Sequence, residues 1–183
     1  AQEGGEGGQG HQLGVHVHGV HAALVADASQ LGLNAASIAA ELGVGIEIDY
    51  QNSSNPNLDR LQEFVDAYRS QHPYDATGNT PAARLTIDVG AGDRWLIALN
   101  RYATANWLHP DHPVLDYANA MVSGTASGSP TDWQEHVDGK PQYAPPVPPL
   151  APAKFTGGLY LKGNLANCTD FTASEQNKHA SYV

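Results

Sequence analysis

Apolar and polar positions change period several times along the chain, and each change predicts an element. Over Leu13–Val20, Val15 and Val17 alternate with His16 and His18, the period of two that sends successive strand side chains to opposite faces. Asn34–Leu42 reads as a helix, with Asn34 as N-cap, a run of alanines, Ile38 and Leu42 on one side, and Gly43 as the stop. Val44, Ile46 and Ile48 then form a short apolar run, as expected of a buried parallel strand. After a polar loop, Leu58, Leu61, Phe64, Val65 and Tyr68 recur at helical spacing and predict an amphipathic helix from about Pro56 to Ser70.

A turn-rich stretch, His72–Pro81, precedes a second alternating strand over Arg84–Val89, with Leu85, Ile87 and Val89 on one face and Thr86 and Asp88 on the other. Gly90–Gly92 breaks it, Asp93 can cap, and Trp95, Leu96, Leu99 and Tyr102 mark the apolar stripe of the next helix. Val114–Val122 predicts another strand, Trp133–Val137 a short helical turn, and Lys154–Leu161 a last strand. The six prolines between 141 and 152 hold that stretch extended. Strand and helix therefore alternate, which argues for an α/β fold with a parallel sheet and helices outside it. In such sheets ligand sites collect at the carboxyl ends of the strands. Residues 1–12, with glycine at 4, 5, 7, 8 and 10, read as a flexible terminus, and 13–183 as a single domain.

Composition narrows the classes. The 183 residues carry 19 acids against 9 Lys and Arg, a formal charge of −10. With no basic cluster, a nucleic-acid surface is not expected. No apolar run approaches the roughly 18 residues of a spanning helix, so no membrane partner is expected either. Cys168 is the lone cysteine and has no internal disulfide partner. Two acceptor sequons (Asn52-Ser53-Ser54 and Asn167-Cys168-Thr169), few lysines and many small residues point to a secreted protein. The start at Ala1, with neither an initiator Met nor a signal sequence, reads as a processed or excised chain.

Candidate chemistry centres on Glu47 and Asp49. Two residues apart on one strand, their carboxylates share a face, and Gln51 continues that row. Two acids on a half-buried face need partners or a use. Asp88, Asn119 and Met121 lie near the ends of the later strands and join them as candidate substrate-binding residues, as does Tyr50. His16 and His18 form an H-x-H pair able to converge on one metal ion. The stretch Val15-His-Val-His-Gly19 resembles the first-strand metal motif of the amidohydrolase superfamily, which implies a metal-dependent hydrolase as an alternative.

Val44-Gly-Ile-Glu-Ile-Asp-Tyr-Gln51 is similar to the signature strand of glycoside hydrolase family 18, the chitinases and their endo-N-acetylglucosaminidase relatives, which reads Asp-Gly-x-Asp-x-Asp-x-Glu at the end of a barrel strand. Asp116-Tyr-Ala-Asn-Ala-Met121 resembles a later strand of that family, and Pro149–Leu161 the one after it. The resemblance implies a parallel (β/α) barrel of the TIM type, no cofactor, and N-acetylglucosamine-containing oligosaccharide or polysaccharide as partner. It implies that Asp49 orients the substrate's acetamido group, that Glu47 sets the ionisation of Asp49, and that residue 51 is the general acid. Here that acid is Gln51, and the family's first Asp is Val44. An amide has no suitable proton to give, and loss of a general acid typically costs about 10²–10⁴-fold in rate. The expectation is a catalytically impaired, chitinase-like domain, with a non-catalytic carbohydrate-binding or storage protein on the same fold as the alternative. A full barrel takes about 250 residues, so this one is expected to be incomplete in the chain and closed by a missing segment or a second chain.

Overall fold

The computed structural model describes residues 24–120 and 129–157. The expectations for Leu13–Val20, His16, His18, Met121 and Cys168 lie outside those residues. Four helices and four strands alternate: α1 (Ala28–Leu42), β1 (Ile46–Ile48), α2 (Leu58–Gln71), β2 (Leu85–Val89), α3 (Ile97–Asn106), β3 (Ala118–Ala120), α4 (Ser129–Asp138) and β4 (Phe155–Gly157). Short 3-10 turns at Pro81–Ala83 and Pro152–Lys154 lead into β2 and β4.

The strands form one sheet in the order β1-β2-β3-β4, with every pairing parallel. Each strand lies beside its predecessor, and right-handed crossovers then carry the intervening helices over a single face. Ile48, Leu85, Ile87, Val89, Ala118 and Ala120 are buried on that face, in a core shared with Leu61, Phe64 and Val65 of α2, Leu99 of α3, and Trp107 and Trp133. The alternation in β2 thus has one apolar face against helices and one polar face turned from them. No helix among the described residues is long and apolar enough to cross a membrane.

The first helix departs from the sequence reading. Asp27, not Asn34, is the N-cap, its carboxylate accepting from Gln30 N at 2.9 Å. Asn34 lies inside α1, where its Oδ1 accepts from Gln30 Nε2 at 2.9 Å. Nor do Ile38 and Leu42 face the core; they are 47% and 60% exposed. The buried positions are Ala28, Gly32, Ala36 and Ala39. The reason is closeness: a Cβ on Gly32 would overlap the Phe64 carbonyl oxygen of α2 and lie 2.9 Å from the Ala67 Cβ, so only the small-residue stripe fits against that helix. Gly43 is the stop, as expected, in the left-handed conformation at φ 65°.

Asp93 does not cap α3, whose N-cap is Leu96 without a side-chain bond. It is buried against α4, where His136 Nδ1 lies 2.9 Å from Asp93 Oδ1 and His136 Nε2 donates to the Gly90 carbonyl at 2.7 Å. That pairing anchors a full ten-residue helix where the sequence predicts one turn. Trp95 is 56% exposed, outside the stripe it was expected to join, because α3 begins only at Ile97.

At the amino ends of the strands, Arg69 ties α2 to the sheet. Its guanidinium donates to Val114 O at 2.6 Å, Ala83 O at 2.5 Å and His72 O at 3.2 Å, and pairs with Asp116 Oδ2 at 3.3 Å. The same Asp116 oxygen accepts from Leu85 N at 2.8 Å. Asp116, the first residue of the Asp-Tyr-Ala-Asn-Ala-Met stretch, is therefore a structural clasp at the end of the sheet opposite the candidate site.

Candidate functional site

On the sheet face turned from the helices, the parallel register brings polar residues into a row. Glu47 stands opposite Thr86, and Asp88 opposite Asn119, which stands opposite Thr156. Each occupies the alternate position to a core residue, so one period of two, repeated in four strands, generates both layers.

Glu47 is the hub. Its Oε2 accepts from Thr86 Oγ1 at 3.0 Å and, in a closer contact, from Asn119 Nδ2, two strands away. Asn119 is oriented in turn by Thr156 Oγ1, which donates to its Oδ1. The donor chain runs from β4 through β3 to β1, and Asp88 of β2 lies on the same face, two residues beyond Thr86 and so diagonal to Glu47. Asp88 is half-buried. Burial first, then the negative charges of Glu47 and Asp49, then a hydrogen bond with Glu47, push its carboxyl up to about 7.

Asp49 and Gln51 lie just past the end of β1 and are exposed. Gln51 Nε2 donates to Asp49 Oδ1 at 2.8 Å, so the predicted row persists beyond the strand, with the amide turned onto its neighbouring acid. Tyr50 points the other way. It is 8% exposed, and its hydroxyl accepts from Asn57 N at 3.0 Å. Its ring joins Leu24, Leu31, Ile38, Ile48 and Phe64 around a cavity of about 260 Å³ beside β1, which Glu47 and Asp49 also border.

Of the predicted residues, the structure brings together Glu47, Asp88 and Asn119, with Asp49 and Gln51 at the rim, and places Tyr50 in the core. Thr86 and Thr156 were missed, although their alternate positions within predicted strands were the available signal. Of the tryptophans, Trp133 is buried with its ring against the backbone of Gly157. Trp95 stands exposed in the loop after β2, at the same end of the sheet as Asp88, with the Arg94 guanidinium 5.4 Å from its ring. Among the described residues no group of three or more His, Cys, Asp and Glu is arranged to hold a metal ion.

Comparison with family models, with curated proteins and with solved structures finds no match for this chain. The site's chemistry therefore carries the functional argument alone. It offers carboxylate acceptors, amide and hydroxyl donors, a carboxyl that titrates near neutrality, and one exposed indole, a set suited to a neutral polyhydroxylated ligand.

Proposed function

We propose that this chain is a chitinase-like domain of the glycoside hydrolase family 18 type that binds N-acetylglucosamine-containing glycans at the carboxyl ends of its strands, with turnover impaired by Gln51. The observation that carries the reading is the Glu47-centred row. It joins four consecutive parallel strands on the face a barrel would turn inward, and its acids continue to Asp49 and Gln51 at the strand end. Sequential parallel order is the order of strands in a (β/α) barrel. Further strands, from elsewhere in the polypeptide or from a second chain, would close it.

In this reading Asp49 holds the acetamido group of the bound sugar, Glu47 and Asn119 fix the charge beneath it, and Trp95 offers a stacking face. Gln51 fills the general acid's place with an amide of nearly the same shape, retaining ligand contacts while withholding a proton. The non-catalytic alternative, a carbohydrate-binding protein on the same scaffold, draws its support from the Gln51–Asp49 hydrogen bond, which stabilises the amide where it stands. Extracellular location follows from this substrate class and from the sequons. Calorimetry with chitin oligomers tests the binding, and Gln51→Glu tests the lineage: we expect turnover of a fluorogenic chitobioside to rise at least 100-fold. Absence of oligomer binding by the unaltered chain would remove both glycan readings.

A further inference from the structure

The described sheet ends at β1, and the surface at that margin is apolar. The cavity of about 260 Å³ lies there, walled by Ile46, Ile48 and Tyr50 on the strand side and by Leu31 and Ile38 of α1. Ile38 is 47% exposed, and Val25 and Leu42, just before and at the end of the same helix, are 47% and 60% exposed. Among the described residues the only other large apolar side chain left exposed is Trp95, so the exposure is gathered on one helix and not scattered. The backbone agrees. Ile46 N donates to Arg84 O at 3.0 Å, so Ile46 turns its peptide groups toward β2. Those groups alternate sides along a strand, so the N–H and carbonyl of Glu47 point across the open margin, where a further strand would pair with them.

Topology and the path of the chain select the occupant. Each later strand pairs in parallel with the one before it, with a helix between the two. Carried back past β1, that order calls for a parallel strand just ahead of α1. Such a strand finishes at the carboxyl end of β1, where the helix after it turns back. Leu24, the first described residue, is 2% exposed and stands in the cavity wall with Tyr50, which follows β1 at that end. Upstream of it the sequence holds one alternating segment, Leu13–Val20, with Leu13, Val15 and Val17 in step and His16 and His18 between. Residues 21–45 separate that segment from β1, ample for a parallel crossover, which needs about a dozen.

We propose that Leu13–Val20 lies parallel to β1 at this margin as the strand preceding it, with Leu13, Val15 and Val17 filling the apolar cavity. Its backbone pairs with the N–H and carbonyl of Glu47. Alternation sends His16 and His18 to the opposite face, beside Glu47, so the polar row gains two imidazoles next to its carboxylates. This pairing goes beyond the glycan reading and does not depend on what the row binds.

Solution NMR on the full chain tests it. We expect amide and Hα NOEs between residues 13–20 and Ile46–Ile48 that persist on dilution. The Glu47 amide should exchange on the order of 100-fold more slowly than an unstructured one. Val17→Asp, which sets a charge in the cavity, should speed that exchange on the order of tenfold and lower the urea midpoint. His16→Ser, on the other face, should leave both unchanged within error. Absence of the NOEs in the unaltered chain overturns the proposal, even where Val17→Asp fails to fold. Intermolecular NOEs in a mixed-label sample overturn it too, because a second copy is then the occupant. Glu47 exchange indifferent to Val17→Asp, or an equal effect of His16→Ser, overturns the facing of the strand.

Discussion

Removing the charge from Asp88 should change how stability depends on pH. Its carboxyl rises from an ordinary 3.8 to about 7 in the folded chain, chiefly through burial and then through Glu47 and Asp49. A group that binds its proton more tightly when folded stabilises the fold fully below pH 3.8 and loses that contribution as pH rises through about 7. At about 1.4 kcal/mol per pH unit, a gap of roughly three units sets a ceiling near 4 kcal/mol. Asp88 is only half-buried on an open sheet face, and solvent screening cuts this to about 1–2 kcal/mol. Asp88→Asn keeps the size and a donor toward Glu47 but no longer titrates. Urea unfolding at intervals from pH 4 to 9 should therefore give similar stabilities near pH 4, with the variant more stable by about 1–2 kcal/mol at pH 8. Taking the difference between the two proteins cancels the titration of distant acids. A difference that stays flat across this window, or a variant that is less stable at pH 8, would refute the account of Asp88.

Three further outcomes follow from other parts of the structure. Arg69→Ala leaves the half-buried Asp116 with only the Leu85 N–H as a partner and frees three carbonyls, and thermal unfolding should show a loss of about 2–4 kcal/mol. Gly32→Ala gains about 1 kcal/mol of helix propensity but sets a Cβ against a backbone oxygen of α2 that cannot move aside; overpacking of about 1–3 kcal/mol should win, giving a lower urea midpoint. Trp95→Ala should weaken chitin-oligomer binding on the order of threefold to tenfold in calorimetry while leaving the unfolding midpoint within experimental error, since the indole is 56% exposed.

How far the sequence could be read depended on whether local pattern or distant contact decided the outcome. β2 was legible because Leu85, Ile87 and Val89 alternate with Thr86 and Asp88, and alternation alone separates the two faces. The Glu47–Asp49 row was legible for the same reason. The face of α1 was not: Ile38 and Leu42 have the look of a core side, and only the approach of Phe64 shows that glycine and alanine had to fill it. Asp93 has the spacing of a cap, and its partner His136 lies on α4, so no local rule would have paired them. The Asn119–Glu47 bond likewise depends on the order of strands, which no local pattern reveals. Asp116 carries the resemblance to a family motif, yet its neighbour Arg69 makes it a clasp.

β1 is three residues long and forms one margin of the described sheet. A strand in that position invites another polypeptide to pair with it, and short length and charged side chains are among the ways proteins discourage this. Glu47 and Asp49 supply such charge at and just past β1. Wherever no closing strand covers β1, the acids that we place in ligand recognition would also discourage a second copy from pairing there. Neutralising both, as one would to build an inactive trap for crystallography, carries the hazard of a protein that binds itself.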